Sequence, residues 1–245
     1  MSKKTRNILL IIGGVILLVL VVLVALSVLY LNGMNAELAK MSPLDTQEVI
    51  PGVYTVRDTY VNLYVVRCSD ELIAIDAGID GGRVAAGLGT LGLNPVDVKA
   101  LFLTHTDTDH VGAVQLFENA PVYIGQDEEQ MVTGQTKRAY VFSNPPLREH
   151  TTLADGERLQ VAGCTVTAIA APGHTPGSMV YLVEPGYLFT GDTLSLKDGK
   201  TAPFSEFFNM DAPRQRSTIA SLARLSGVTH VFTAHYGYTA SGVSE

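Results

Sequence analysis

The chain has 245 residues, 47% hydrophobic and 17% charged, with a formal net charge of −7, two cysteines and no tryptophan. That length fits one large domain or two small ones, and two cysteines are too few for a disulfide-stapled scaffold. The apolar residues crowd the N-terminus, which excludes a wholly soluble cytosolic protein.

Ile8–Leu31 is a run of 24 residues without a charge, ILLIIGGVILLVLVVLVALSVLYL. At about 1.5 Å per residue a helix of this run reaches roughly 36 Å, enough to cross a hydrocarbon core of about 30 Å with some tilt. It is too long for the apolar core of a cleaved signal peptide. The nearest cut-like sequence, Met34-Asn35-Ala36, carries a bulky residue where a small one is needed. Lys3, Lys4 and Arg6 precede the run and the next basic residue is Lys40, so the positive-inside bias puts the N-terminus in the cytoplasm. The expected organisation is a cytoplasmic stretch 1–7, a transmembrane helix 8–31 in the lipid bilayer, a tether 32–45, and one extracytoplasmic domain 46–245 anchored to the cell membrane. Setting aside the three leading basic residues leaves 14 basic against 24 acidic residues, a net −10 that disfavours nucleic acid as a partner. Cys68 and Cys164 could pair in an oxidising compartment, and two separate buried thiols are the favoured expectation.

Within the domain, Val53–Arg57, Tyr60–Arg67 and Glu71–Asp76 are rich in Val, Ile, Tyr and Leu, and their short separations predict antiparallel hairpins. Gly78, Gly81 and Gly82 break that pattern before a helically spaced Val84–Leu91. Ala100–Thr104 reads as a buried strand, followed by a helix at Val111–Phe117, a strand at Pro121–Ile124 and an acidic helix start at Asp127–Glu129. An irregular stretch, Thr133–Glu149, precedes strands at Arg158–Ala162, Cys164–Ile169, Ser178–Val183 and Tyr187–Thr190. A second, Ser195–Asp211, leads to a helix at Pro213–Leu225 and a last strand at His230–Thr233. Two rounds of strands followed by strand–helix alternation predict an α/β fold with two sheets and helices outside, an αββα sandwich.

Four of the six histidines sit where an apolar strand meets a Gly- or Asp-containing loop: His105 and His110 in LFLTHTDTDHVGA, His174 in AIAAPGHTPGSM, and His235 in HVFTAHYGYT. Asp192 occupies the same kind of position in YLFTGDTLS, and Asp107 and Asp109 lie between the first two histidines. Crowded carboxylates repel one another, and a divalent cation removes that cost while imidazole and carboxylate supply donors that zinc accepts. A helix beginning just after His110 would favour its neutral, ligating form. Taken singly, a histidine at a strand end is usually structural, Asp109 could be a helix N-cap and Gly191-Asp192-Thr193 a plain turn. Four separate segments presenting such residues at strand ends together point to a metal site instead. His150, in a polar loop, and His230, at a strand start, read as structural.

The segments THTDTDH (104–110), APGHTPGS (171–178), FTGDTL (189–194) and TAHYGYT (233–239) resemble, in order, the metal motifs of the metallo-β-lactamase fold superfamily. VNLYVV (61–66) and AIDAGI (74–79) are similar to its opening hairpin, so the resemblance spans about residues 46–240. It implies two divalent metal ions, zinc by expectation: His105, Asp107 and His174 hold the first, Asp109, His110 and His235 the second, and Asp192 bridges both. The usual motif is H-x-H-x-D-H, whereas this chain reads H-x-D-x-D-H, with Asp107 in the departing position, a variant similar to one in domains of DNA-uptake membrane proteins. Two divalent ions, three carboxylates and a bridging hydroxide then cancel in charge. A bridging water that is a weaker acid, and easier admission of Mn or Fe through the harder oxygen ligand, are expected.

The implied activity is hydrolysis of an ester, thioester or lactone carbonyl of a small-molecule substrate by the metal-bridging hydroxide, which Asp109 both ligates and orients. Tyr236 or Tyr238 would add a hydroxyl to the oxyanion, and Tyr140, Phe142, Phe204, Phe207, Phe208 and Met210 in the two irregular stretches would wall an apolar pocket. The motif wording is similar to the glyoxalase II and lactonase branches. Glyoxalase II-like enzymes carry a C-terminal helical domain that binds glutathione, and here ten residues follow His235, so that specific activity is not expected. Zinc β-lactamases of the best-known subclass have a cysteine where Asp192 stands, which lowers that option. The competing readings are a phosphodiesterase or nuclease-like member, an iron-dependent oxygenase, and a metal-binding module without turnover.

Overall fold

The computed structural model describes residues 2–138 and 142–244 and divides into two compact units, Met1–Lys40 and Met41–Glu245. The first unit is one helix, α1 (Lys3–Leu38), whose Ser2 cap accepts a hydrogen bond from the Thr5 amide. None of its side chains is buried, and its mean hydropathy of 3.5 over an 18-residue window makes it long and apolar enough to cross a membrane. The helix continues past the predicted span 8–31 through seven residues expected to belong to a tether. Met34, Ala36, Glu37 and Leu38 are good helix formers, and the first proline is Pro43.

In the second unit, sheet A has seven strands in chain order: β1 (Gln47–Ile50), β2 (Val53–Asp58), β3 (Val61–Cys68), β4 (Glu71–Ile75), β5 (Val98–Phe102), β6 (Val122–Gly125) and β7 (Thr151–Leu153). Pairing is antiparallel from β1 to β4 and parallel from β4 to β7. The elements that follow are β8 (Arg158–Val161), β9 (Cys164–Ala170), β10 (Met179–Val183), β11 (Tyr187–Phe189), the hairpin β12 (Leu194–Lys197) and β13 (Lys200–Pro203), β14 (His230–Thr233) and β15 (Gly237–Thr239). Sheet B orders six of them as β15-β14-β11-β10-β9-β8.

The period-2 alternation of a strand explains how one chain feeds two cores. In β3, Tyr64 and Val66 face sheet B, where they join Ile73, Phe102, Tyr181, Phe189 and Phe232. Leu63 and Val65 face the other way, against Val84 and Leu88 of α2 (Gly81–Thr90). On the far side, α5 (Ala212–Leu222) sets Ile219 and Leu222 against Val180, Leu188 and Val231. The result is the predicted αββα sandwich.

Several elements differ from the sequence reading. Val111–Phe117 is not one helix. A four-residue α3 (Thr108–Val111) ends at Gly112, which lies against the Ile79 carbonyl, and a single 3-10 turn Val114–Leu116 follows. The acidic start at 127–129 leads into α4 (Glu129–Val132). The β12–β13 hairpin replaces part of an irregular stretch, turning at Asp198-Gly199 with φ of 52° and 74°, the left-handed pair that an Asp-Gly turn supplies. Strands β1 and β7 are short edge strands with little hydrophobic signal. Cys68 and Cys164 are not separate thiols: they form a disulfide between the end of β3 and the start of β9, with Cα atoms 5.3 Å apart, tying the two sheets together.

Candidate metal centre

The carboxyl ends of β4, β5, β9, β11 and β14 lie at one rim of the sandwich, and each is followed within a few residues by a histidine or aspartate: Asp76, His105, His174, Asp192 and His235. His105, His110, His174, Asp192 and His235 are all buried there, and Asp107 and Asp109 are partly buried. Gly191 makes one of these approaches: at φ 49° its missing Cβ leaves room for the Thr104 hydroxyl, which would lie 2.3 Å from that atom.

Each of the four histidines has its Nδ1 fixed by a different neighbour. His105 Nδ1 lies 3.1 Å from Thr104 Oγ1, His110 Nδ1 2.9 Å from Asp76 Oδ2, His174 Nδ1 3.2 Å from Asn209 Oδ1, and His235 Nδ1 2.7 Å from the Tyr60 carbonyl. Holding Nδ1 leaves Nε2 as the donor atom, the arrangement that orients ligating imidazoles.

All four Nε2 atoms meet the three carboxylates. His105 and His174 lie 3.5 and 3.1 Å from Asp107 Oδ2, and His174 is 3.4 Å from Asp192 Oδ2. On the other side, His110 and His235 are 3.8 and 3.6 Å from Asp109 Oδ2 and 3.5 and 3.0 Å from Asp192 Oδ1. Donors at 2.0–2.1 Å from a tetrahedral zinc stand about 3.3–3.4 Å from one another, so these spacings are the edges of metal polyhedra. Among the described residues, His105 Nε2, His110 Nε2, His235 Nε2 and Asp192 Oδ1 are buried with no hydrogen bond of acceptable geometry, their polar neighbours being other members of the cluster. Four orphaned ligand atoms in one cluster are costly unless a cation satisfies them. The donor set therefore fits a divalent metal.

The electrostatics agree. For Asp192, burial pushes the pKa up, but His235, His110 and His174 outweigh it and hold the carboxyl well below its ordinary range. Asp107 is likewise held low against the cost of burial, by His105, His174 and the Arg138 guanidinium. Burial lowers His105, and the charges of His110 and His174 lower it further. His110 sits among carboxylates as well as at a helix start. It is the third residue of α3, Asp107 holds the N-cap position without a side-chain cap bond, and Asp76, Asp109 and Asp192 overcome burial to raise its pKa well above normal. His235 is raised in the same way by Asp192 and Asp109.

Four supporting residues escaped the sequence reading. Asp76, within the quoted AIDAGI, accepts the Thr104 amide at 2.7 Å as well as holding His110. Glu128, read only as part of a helix start, is buried and accepts from the Thr106 amide, the Thr106 hydroxyl and the Thr175 hydroxyl at 2.6–2.8 Å, clamping two ligand loops together. Tyr60 stacks on His235 at 5.9 Å, and burial and Asp109 push its hydroxyl up to about 12. Arg138, from the stretch read as irregular, donates two hydrogen bonds to Asp107.

Of the other predicted residues, Tyr238 is turned away from the cluster: it stacks on Phe232 and its hydroxyl donates to the Val49 carbonyl. Tyr236 packs edge-on to Phe204, whose buried ring lies 5.4 Å from His174 and 5.6 Å from His235. Phe208 abuts Phe204, the Met210 amide donates to the His174 carbonyl, and Phe142 and Phe207 are exposed. Tyr140 lies outside the described residues. His150 pairs with Glu129 and His230 lies in β14, both away from the cluster.

An αββα sandwich with a His/Asp donor cluster at its rim defines a metal-binding α/β domain. The Metallo-beta-lactamase superfamily model matches residues 56–235, and the chain belongs to that superfamily. A hydroxyacylglutathione hydrolase of Edwardsiella ictaluri is 32% identical over 196 residues, covering 78% of this chain and 67% of that protein. One of Yersinia pestis is 34% identical over 169 residues, covering 67% and 58%. The chain thus spans about three-fifths to two-thirds of these relatives' lengths. Among solved structures, a metallo-beta-lactamase of Cronobacter sakazakii has a TM-score of 0.64 at 21% identity, covering 80% of each chain. A subclass B3 metallo-beta-lactamase of Bradyrhizobium japonicum has 0.63 at 20%, covering 80% and 79%. These structural likenesses concern the fold alone.

Proposed function

We propose a membrane-anchored, extracytoplasmic hydrolase that binds two divalent ions and cleaves an ester, thioester or lactone carbonyl of a small molecule. His105, Asp107 and His174 would hold one ion, Asp109, His110 and His235 the other, with Asp192 between them. Zinc suits this donor set, and the oxygen donor of Asp107 admits Mn or Fe. The observation that carries the reading is the set of unpartnered buried ligand atoms on His105, His110, His235 and Asp192. Bound divalent ions lower the pKa of water toward neutrality and polarise a carbonyl.

The chain's own residues supply position. Asp109 is the most exposed of the three carboxylates, at 20% against 16% and 6% for Asp107 and Asp192, and is the one placed to orient an attacking water. Phe204 closes the site beside His174 and His235 against bulk water. Tyr236 lies next to His235 and against Phe204, whereas the Tyr238 hydroxyl donates to the Val49 carbonyl away from the cluster. An acyl substrate is favoured by the hydroxyacylglutathione hydrolase names of the relatives. Extracytoplasmic placement is favoured by α1 and by the Cys68–Cys164 disulfide, since such bonds persist in oxidising compartments.

The test is turnover by the zinc-loaded chain of a thioester and lactone panel against a bis-phosphodiester. Acyl turnover abolished by Asp109→Ala is expected; phosphodiester cleavage alone, or oxygen consumption by an iron-loaded form, would refute the acyl assignment.

A further inference from the structure

The seven clustered ligands are not equally available. Arg138 reaches them with a side chain only 24% exposed. Its Nε donates to Asp107 Oδ1 at 2.9 Å and its Nη2 to Asp107 Oδ2, while Nη2 also lies 2.8 Å from His174 Nε2. Its Nη1 donates to the Phe208 carbonyl at 2.6 Å, which holds the guanidinium in place. A guanidinium only donates, so the His174 Nε2 lone pair that would face a metal is turned to Arg138 instead. Asp107 Oδ1 also accepts from Asn144 at 3.3 Å. Asp107 and His174 are satisfied, whereas the four orphaned atoms belong to His105, His110, His235 and Asp192.

Charge follows the same division. Three carboxylates, one guanidinium and one divalent ion sum to zero, as do three carboxylates, two divalent ions and one hydroxide. Both states are neutral, and they differ in whether Arg138 or a second ion sits against Asp107.

Resting on the metal-site reading above, we infer that Arg138 is a built-in cation standing in for the ion at His105, Asp107 and His174. The chain takes its first divalent ion among Asp109, His110, His235 and Asp192 with Arg138 in place. A second ion binds only when Arg138 releases Asp107 and His174. Metal loading is therefore stepwise, and the fraction of two-ion protein is set by competition between an external cation and an internal one. Arg138 tunes metal occupancy rather than acting on substrate.

The experiment is a zinc titration of the metal-free full-length chain in detergent micelles against a competing chelator, with bound zinc counted by elemental analysis. Wild type is expected to bind zinc in two resolved steps. Arg138→Gln removes the charge and the fork, and tightens the second step by at least about tenfold while leaving the first unchanged, since charge-assisted bidentate contacts are the strong ones. Arg138→Lys keeps the charge without the fork and falls between the two. The unchanged first step itself reports that each variant is folded. If Arg138→Gln loses that step, Arg138→Lys carries the test alone and must still tighten the second. A second step equally weak in all three proteins, or wild type taking two zincs in one step, overturns the inference and leaves the metal-site reading standing. Absence of zinc binding in all three overturns both.

Discussion

Asp76→Asn is the most incisive test of how the histidines are held. Asp76 has φ 62°, a left-handed conformation that asparagine also tolerates, so the backbone is not strained by the change. Its two oxygens receive the Thr104 amide at 2.7 Å, the Thr104 hydroxyl at 2.9–3.0 Å and His110 Nδ1 at 2.9 Å. An amide has only one acceptor oxygen. The Thr104 N–H cannot turn away, so the oxygen stays with it and the NH2 group faces His110. A donor opposite Nδ1 moves the imidazole proton to Nε2, the atom that must be bare to bind a metal. Loss of such an orienting carboxylate typically costs 10–100-fold in metal affinity, about 1.4–2.7 kcal/mol. A chelator-competition titration of wild type and variant measures it. In a His110→Ala background the same substitution is expected to add nothing, because its effect runs through that ring. An unchanged zinc affinity in Asp76→Asn, or an equal loss with and without His110, would refute this reasoning.

Metal removal and pH are linked. Without metal, the lowered Asp107 and Asp192 contribute stability present above about pH 4 and lost as pH falls through their folded pKa values, while the raised His110 and His235 contribute stability present below about pH 6.5 and lost as pH rises through theirs. His105, lowered, works in the opposite sense to the other two histidines and offsets part of their effect. Thermal melts of metal-free protein should therefore be highest between about pH 4 and 6.5, and the rise on adding zinc should be larger at pH 8 than at pH 6, because metal displaces protons. A flat profile in both forms would contradict it. Glu128→Ala strands the buried Thr106 amide and removes the acceptor of the Thr106 and Thr175 hydroxyls, and should cost on the order of 2–4 kcal/mol in chemical denaturation. Replacing Cys68 and Cys164 by alanine opens a cross-link between residues 96 apart and should cost about 2–4 kcal/mol, read as a lower urea midpoint; equal midpoints would mean the bond does not stabilise the fold.

The fold was legible because its strands are locally patterned and each His or Asp ligand candidate lies in a short motif at a strand end. What escaped was non-local. The disulfide joins residues whose proximity exists only once two sheets stack, and no spacing signals it. Arg138 meets Asp107 from 31 residues away, in a stretch with no periodicity, so nothing in its neighbourhood marks it. Glu128 looks like any acid at a helix start until the 174–178 loop closes over it; a Cβ at Gly177 would lie 1.8 Å from the Glu128 amide. The charge around His110 is largely non-local: Asp76 follows β4 and Asp192 follows β11, and only Asp109 comes from its own helix. Asp76 and the Asp198-Gly199 turn were within reach: the first stands in a quoted motif, the second is a plain hairpin signal.

The central claim is that seven side chains from four segments cage divalent metal. Crystals of the chain grown with excess zinc, measured across the zinc absorption edge, address it directly. The account predicts two anomalous peaks ligated by Nε2 of His105, His110, His174 and His235 and by the carboxylates of Asp107, Asp109 and Asp192, with Arg138 displaced from Asp107. An ordered cluster with no anomalous peak would contradict it.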